Sequence, residues 1–392
     1  MSRSAASLIA AFCAGAALIL PSTAQTSTAN SPVAYVYVST PTYAEGFAVA
    51  PNGRLTPVPG SPFTNIALSH MSVNKNFLFG SGHDQENLHS YRIHADGSLT
   101  RVDTYNVRGH DNCAKMGPTQ VDRTGSTLYL SQFECPPENA SPFGQDNFQA
   151  WKIAADGTLE FLGNSDMNSG SEDSADPVSP LYFAGNNKYG YQLSCIPYFY
   201  EGNLGVYPRE SNGTFNPYLG YLEDLQQPDA PLGEKYCGSF LATDDANHAA
   251  VELLISTDDD GYGVNRGVLA SYTADSTGNL TTTNTSETMP ELGFGLATAM
   301  SISPAGDLLA VGSSEGFEIF HFNGALPITH YSSVLQPHNQ FKEFGWDKSN
   351  HLFAVSADGL RVYNITPLSY SEAPGSPVPI PGATSVIVVS LQ

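Results

Sequence analysis

Positive charge is scarce in this chain, and its scarcity excludes several functions. Lysine and arginine number 16 against 38 aspartates and glutamates, which gives a formal net charge of −22. Such a surface repels phosphate backbones and anionic headgroups, which argues against sequence-independent nucleic-acid binding and polybasic membrane docking. Charged residues are only 14% of the chain, whereas coiled coils and helical bundles are rich in Ala, Glu, Lys, Leu and Arg. We therefore expect no nucleic-acid partner and no fold built from long helices.

Long apolar runs are also missing, except at the N-terminus. Arg3 precedes an apolar stretch at residues 5–20, and small residues follow it. This is the pattern of a secretory signal peptide, and the stretch is too short and wrongly flanked for a membrane anchor. We expect residues 1–24 to be a signal peptide and residues 25–33 a linker. The protein would be exported to the periplasm or the extracellular space, with no membrane span.

Cysteine is sparse, and its distribution suggests disulfides. Cys13 lies inside the apolar N-terminal stretch, which leaves Cys113, Cys135, Cys195 and Cys237 in the exported chain. An even number of cysteines in an oxidising compartment indicates disulfide bonds. No C-x-x-C or His–Cys pair has the spacing of zinc ligands, so a zinc site is the less favoured interpretation.

A short turn motif recurs along the whole chain. An alternating apolar strand precedes each copy, and an Asn-Gly or Asp-Gly core is the strongest short-range signal of a β-hairpin. The copies begin at Asn52, Asp96, Asp156, Asn212, Thr277 and Asn323, with a degenerate one at Thr366. Each unit comprises four strands, the size of one propeller blade. The sequence predicts an all-β, seven-bladed propeller of four-stranded antiparallel blades over residues 34–392, with a pair of β-sandwiches as the less favoured alternative.

The two ends of the chain indicate how the ring closes. The first unit begins directly at its second strand, near residues 34–38, and one unpaired strand at residues 384–389 follows the last unit. We expect the C-terminal strand to become the inner strand of the first blade. This closure would leave only short, protected sheet edges.

The blade layout also selects a disulfide pairing. Cys113 precedes the inner strand of the third blade, and Cys135 follows the second strand of that blade. Cys195 ends the second strand of the fourth blade, and Cys237 opens the fifth. We therefore predict Cys113–Cys135 and Cys195–Cys237.

The opening blade resembles a known family of propellers. Residues 35–39 and 47–63, together with the turn segments 122–129 and 301–310, are similar to the lactonase-family seven-bladed propellers. That group includes 6-phosphogluconolactonase-like and carboxymuconate-cyclising enzymes. The resemblance covers the mature chain and implies the fold. Its motifs are blade motifs, which specify fold much better than chemistry.

The residues that carry catalysis in the enzymatic members are not kept. The resemblance places an inner-strand His near Gly117, an Asp-Leu-Gly motif at residues 132–134, a Pro-Arg-His motif at 178–180 and an Asn-Glu pair at 194–195. None of these catalytic groups stands at its expected position in this sequence. The sequence therefore favours a non-catalytic binding or interaction protein and predicts no turnover of 6-phosphogluconolactone. The alternative is a divergent lactonase or cyclase that acts on a sugar or carboxylic-acid lactone in the central channel.

Several charged residues are expected near the mouth of that channel. A lactone or carboxylate ligand needs a cation and a general acid or base, and the candidates are His70, His110, Lys115, His338 and Glu343. A converging His, carboxylate and Lys or Arg would favour an enzyme. A lining of apolar, Ser or Asn groups would favour a binding protein for a small molecule, a carbohydrate or another protein. We expect a monomer.

One acidic loop invites a calcium interpretation. Asp258 and Asp260 alternate before a glycine, as oxygen ligands do in calcium loops. The matching register places Gly267 where a bidentate carboxylate is needed, so the match is partial. A solvated acidic loop is the favoured interpretation, and we expect no cofactor, with calcium at Asp258 and Asp260 as the alternative.

Overall fold

A computed structural model describes most of the chain. The described residues are 31–110, 113, 115–135, 145–167, 180–196, 201–215, 221–229, 235–256 and 266–391. The predicted signal peptide lies outside them, as do Asp258 and Asp260. Within them, no helix has the length and hydrophobicity needed to cross a bilayer.

The described residues form seven antiparallel sheets, one for each blade. Blade 1 contains β1 (Ala34–Ser39), β2 (Ala44–Val49) and β3 (Leu55–Pro57), and blade 2 contains β4 (Leu68–Asn74), β5 (Phe77–Gly82), β6 (Asn87–Ile93) and β7 (Leu99–Asn106). Blade 3 contains β8 (Lys115–Val121), β9 (Thr127–Cys135), β10 (Gln145–Ile153) and β11 (Leu159–Met167). Blade 4 contains β12 (Tyr182–Phe183), β13 (Tyr189–Ile196), β14 (Glu201–Pro208) and β15 (Tyr221–Asp224).

The second half of the chain continues the same order. Blade 5 contains β16 (Lys235–Thr243), β17 (His248–Ser256), β18 (Arg266–Ala274) and β19 (Leu280–Thr281). Blade 6 contains β20 (Ala299–Ile302), β21 (Leu308–Ser313), β22 (Gly316–Asn323) and β23 (Leu326–His330). Blade 7 contains β24 (Phe341–Trp346), β25 (His351–Ser356), β26 (Gly359–Thr366), β27 (Ser369–Glu372) and β28 (Val378–Pro379), and β29 (Ser385–Ser390) follows.

The last strand closes the ring as the sequence predicts. β29 pairs with β1, so blade 1 has the order β29-β1-β2-β3. In the register of this pair, Tyr35 lies opposite Val389 and Val38 lies opposite Val386. The predicted seven-bladed fold and its C-terminal closure are both confirmed.

Apolar packing between neighbouring blades holds the ring together. Among the described residues, seven clusters of buried apolar side chains each combine residues of two adjacent blades. One of these clusters joins blade 7 to blade 1, where Phe353 and Leu360 pack with Val36 and Phe47. The hydrophobic contacts therefore continue around the ring without a break at the chain ends.

The recurring glycines lie at these contacts between blades. Gly97, in the outer hairpin of blade 2, has a φ of 81°. A Cβ at Gly97 would lie 2.7 Å from the Tyr35 ring of blade 1. In the same way Gly278 of blade 5 faces the ring of Tyr189 in blade 4. The turn motif recurs because each copy needs a left-handed residue without a side chain, placed against the preceding blade.

One of the two predicted disulfides is present as expected. Cys195 at the end of β13 and Cys237 in β16 are bonded, with a Cα–Cα distance of 5.3 Å, and they join blade 4 to blade 5. Cys113 is also disulfide-bonded. The side chain of Cys135 lies outside the described set, so the Cys113–Cys135 pairing stays a prediction.

Candidate functional site

The inner strands of the blades surround a central channel. The cavity has a volume of about 1090 Å³ and is lined by residues of all seven inner strands or of the turns next to them. Its titratable lining groups include His70, His83, Tyr182, Lys342 and Glu343. Of the five candidate site residues from the sequence, the structure brings His70 and Glu343 together in this cavity.

Irregularities in the inner strands determine which side chains reach the channel. The pairing register shifts between Leu68 and His70 in β4 and between Phe341 and Glu343 in β24. Similar shifts occur in β8 and β16. A bulge breaks the strict alternation of a strand and redirects side chains. Consecutive residues such as Lys342 and Glu343 therefore both line the cavity, although strict alternation would place them on opposite faces.

Glu343 is held in the wall of the channel by the neighbouring inner strand. The backbone N–H of Val386 in β29 donates a hydrogen bond of 2.7 Å to its Oε2 atom. Burial raises the pKa of the Glu343 carboxyl to about 8, although this hydrogen bond acts in the opposite direction. The carboxyl group is therefore mostly protonated at neutral pH, and a protonated carboxyl can donate a hydrogen bond.

His70 is neutral for a related reason. Burial lowers the pKa of its imidazole to about 4, with a smaller contribution from the nearby His83. Both histidines line the channel. A neutral imidazole has one nitrogen that can accept a proton, so His70 can act as a base throughout the neutral range.

Lys342 and Tyr182 complete the titratable lining near Glu343. The Nζ atom of Lys342 donates a 3.0 Å hydrogen bond to the carbonyl oxygen of Ala383, which fixes the amine beside the entry to β29. Burial, and secondarily the charge of Glu343, raises the pKa of the Tyr182 phenol. Tyr182 therefore keeps its proton at any physiological pH.

The opposite end of the channel, where the inner strands end, is tied together by Arg123. Its guanidinium donates to the Phe183 carbonyl at 2.8 Å and to the Asp244 carbonyl at 2.7 Å. It also forms an ion pair with Asp245. These bonds connect turns of blades 3, 4 and 5. Arg123 is thus engaged by the protein itself and contributes little free positive charge to the cavity.

The other three sequence candidates lie outside the cavity lining. His110 stacks on Phe161 with ring centroids 3.8 Å apart. The exposed side chain of His338 lies 3.3 Å from Glu315. Lys115 is the exposed first residue of β8. Sequence reasoning missed Tyr182, for which the available signal was an aromatic residue just before an inner-strand turn.

Metal binding finds no support in the described part of the chain. No group of three or more His, Cys, Asp or Glu side chains there could hold an ion. Asp258 and Asp260 fall outside that part, so the calcium alternative at these residues stays untested.

The chain resembles known proteins in its structure. No protein-family model matches the chain, and no curated protein matches it. Many solved structures do match. A periplasmic gluconolactonase from Pseudomonas aeruginosa is 15% identical over 92% of this chain and 99% of its own, with a TM-score of 0.63.

Two further structures agree with this match. A protein from Lactobacillus plantarum is 15% identical, with 91% of this chain and 99% of that chain covered and a TM-score of 0.61. A candidate 6-phosphogluconolactonase from Bacteroides uniformis is 13% identical, with the same coverage and a TM-score of 0.56. This chain has the fold of the lactonase-like propellers. At these identities the comparisons establish the fold alone, and they confirm the sequence resemblance at that level.

Proposed function

We propose that the protein is an exported lactonase that hydrolyses an uncharged lactone in its central channel. The observation that carries the proposal is the joint presence of Glu343, His70 and Lys342 in the lining of one cavity. The pKa of the Glu343 carboxyl is raised to about 8, and the pKa of the His70 imidazole is lowered to about 4. At neutral pH the carboxyl group is therefore the proton donor of the pair and the imidazole is the proton acceptor. Such pairs are typical of acid–base active sites.

The proposed reaction uses each group in its neutral-pH state. His70 accepts a proton from water as the water oxygen attacks the lactone carbonyl carbon, and protonated Glu343 donates a hydrogen bond to the carbonyl oxygen as negative charge develops there. The ring C–O bond then breaks, and the imidazolium of His70 returns its proton to the departing ring oxygen. The product is a hydroxy acid, which releases its acidic proton to solvent, and Lys342 attracts the resulting carboxylate. One water is consumed, and both catalytic groups end as they began.

The charge of the lining favours an uncharged substrate. The cationic side chains that line the cavity are Lys75, Arg123 and Lys342, and Arg123 is occupied by its own protein partners. A phosphorylated substrate needs several free cations, and the net charge of −22 disfavours its approach. The similar Pseudomonas aeruginosa structure is that of a gluconolactonase, which makes gluconolactone the first compound to test.

Export is part of the same proposal. The Cys195–Cys237 bond is of a kind that persists in oxidising compartments, and residues 1–24 have the composition of a signal peptide. We infer a periplasmic or extracellular location for the mature chain.

Hydrolysis by the purified mature protein tests the activity. δ-Gluconolactone, neutral γ-lactones and 6-phosphogluconolactone are followed by acid release, with spontaneous hydrolysis subtracted and with or without added calcium. We expect turnover of a neutral lactone, little turnover of the phosphorylated one, and a loss of about 10²–10³ in kcat for Glu343→Ala, which removes the oxyanion donor.

A matched control is Glu315→Ala, because Glu315 is an exposed glutamate paired with His338 and absent from the cavity lining. The Glu315 variant should keep the wild-type rate. Equal rates for the wild type and the Glu343 variant on every lactone would refute the proposal.

A non-catalytic binding protein is the second candidate. The observation in its favour is the sequence itself, in which Gly117 and Cys195 stand at the positions of the family's catalytic His and of its Asn-Glu pair. Calorimetric binding of lactones or carbohydrates without turnover would favour this function over hydrolysis.

A further inference from the structure

Tyr182 and Glu343 line the same cavity from two distant blades. Tyr182 lies in β12 of blade 4 and Glu343 in β24 of blade 7, on opposite sides of a ring of seven blades. Both side chains line the same cavity. Burial, and secondarily the charge of Glu343, raises the pKa of the Tyr182 phenol, so the two groups interact electrostatically.

The two side chains do not satisfy one another. In the described part of the chain no hydrogen bond joins them, and the Tyr182 hydroxyl has no hydrogen-bond partner there. The Oε2 atom of Glu343 accepts a hydrogen bond from the Val386 N–H. The proton of the neutral carboxyl group can therefore still be donated to a ligand. Two donors therefore border one cavity.

We propose that Tyr182 and Glu343 form a two-donor site that binds one carbonyl oxygen of the ligand. The identity of that oxygen, the carbonyl oxygen of a lactone, rests on the proposed function. Tyr182 is then the second hydrogen-bond donor to the oxygen on which negative charge develops. It is assigned here from the structure, because no sequence motif points to it.

The chemistry of the two groups suits this task. A phenol and a carboxylic acid kept neutral by burial can together hold a developing oxyanion without placing a full charge in the site. Donors that are fixed before the reaction need no reorganisation, and loss of one such donor typically lowers kcat by about 10²–10³.

The test compares Tyr182→Phe with Tyr189→Phe. Tyr189 lies in β13 of the same blade, and its hydroxyl donates a 3.4 Å hydrogen bond to the Ser276 carbonyl outside the cavity lining. Each variant is assayed for δ-gluconolactone hydrolysis. Each is also titrated calorimetrically with gluconolactam, a probe that keeps the ring carbonyl but resists hydrolysis.

For Tyr182→Phe we expect gluconolactam to bind roughly tenfold more weakly, KM to rise by no more than the same factor, and kcat to fall by about 10²-fold because the hydrogen bond strengthens as negative charge develops. Tyr189→Phe should match the wild type in both assays. Circular dichroism melts of both variants check that each is folded.

The outcomes separate the two proposals. Hydrolysis by the wild type with an unchanged Tyr182 variant would overturn the two-donor site and leave the lactonase proposal standing. Binding of gluconolactam that depends on Tyr182, without any hydrolysis, would support the site and overturn the lactonase activity. A wild type that neither binds nor hydrolyses these compounds would overturn both.

Discussion

At the scale of single residues, the channel is defined by side chains whose pKa values differ from those in water. Burial is the main cause for both Glu343 and His70, and it acts in opposite directions on their pKa values because it disfavours the charged form of each group. The carboxyl keeps its proton and the imidazole lacks one. The same physical effect therefore produces a donor and an acceptor in one cavity.

The pH dependence of lactone hydrolysis follows from these two values. Glu343 must be protonated, so kcat/KM should fall as the pH rises through about 8. His70 must be neutral, so kcat/KM should fall as the pH drops through about 4. The groups that face Glu343 are Tyr182, Lys342 and the Val386 N–H, and His83 faces His70. The profile should be a plateau with two limbs.

Variants assign the limbs of this profile. In Glu343→Gln the alkaline limb near pH 8 should disappear while a lower plateau remains, because glutamine does not titrate. In the Glu315→Gln control both limbs should stay. An alkaline limb that persists without Glu343 would show that another group controls it.

At the scale of strands and turns, the periodicity of the turn motif predicted the repeat well because every copy has the same two structural requirements. A copy of the motif needs a left-handed backbone and contact with the neighbouring blade, so glycine recurs at Gly97 and Gly278. Strict alternation could not reveal which channel residues matter. Bulges in the inner strands place Lys342 beside Glu343, and such a bulge depends on tertiary pairing that a single sequence does not show.

Substitution of Gly97 tests the glycine contacts between blades. Gly97→Ala should cost roughly 1–2 kcal/mol for the left-handed backbone and a further ~1–3 kcal/mol for the overlap with Tyr35. Gly375 has a similar φ of 86°, but a Cβ there would meet nothing within 4 Å. Gly375→Ala should therefore lose only the backbone contribution.

Urea unfolding measures the difference between these two variants. The free energy of unfolding should be lower for Gly97→Ala than for Gly375→Ala by about 1–3 kcal/mol. Equal losses would mean that the contact with the neighbouring blade adds nothing to the backbone cost.

At the scale of the whole molecule, stability and the channel depend on the same C-terminal strand. β29 supplies the inner strand of blade 1 through its pairing with β1. It also presents the Val386 N–H that holds Glu343. The ring is closed by hydrogen bonds and by the apolar cluster between blades 7 and 1, so no covalent bond is needed at that position. Closure and the candidate site are therefore coupled.

Truncation of the C-terminus tests this coupling. A chain that ends at residue 384 lacks β29, which leaves the inner edge of β1 unpaired and removes the Val386 donor. We expect it to aggregate or to unfold well below the melting temperature of the full chain, because an exposed apolar strand edge favours intermolecular pairing.

A chain that ends at residue 390 is the control. It loses the 2.9 Å hydrogen bond from the Leu391 N–H to the Val33 carbonyl, worth about 1 kcal/mol, and should melt at only a slightly lower temperature. A synthetic peptide of residues 385–392 should restore the ordered state of the first truncation by adding the missing strand. If the chain that ends at 384 instead melts with the full chain, β29 does not close the ring.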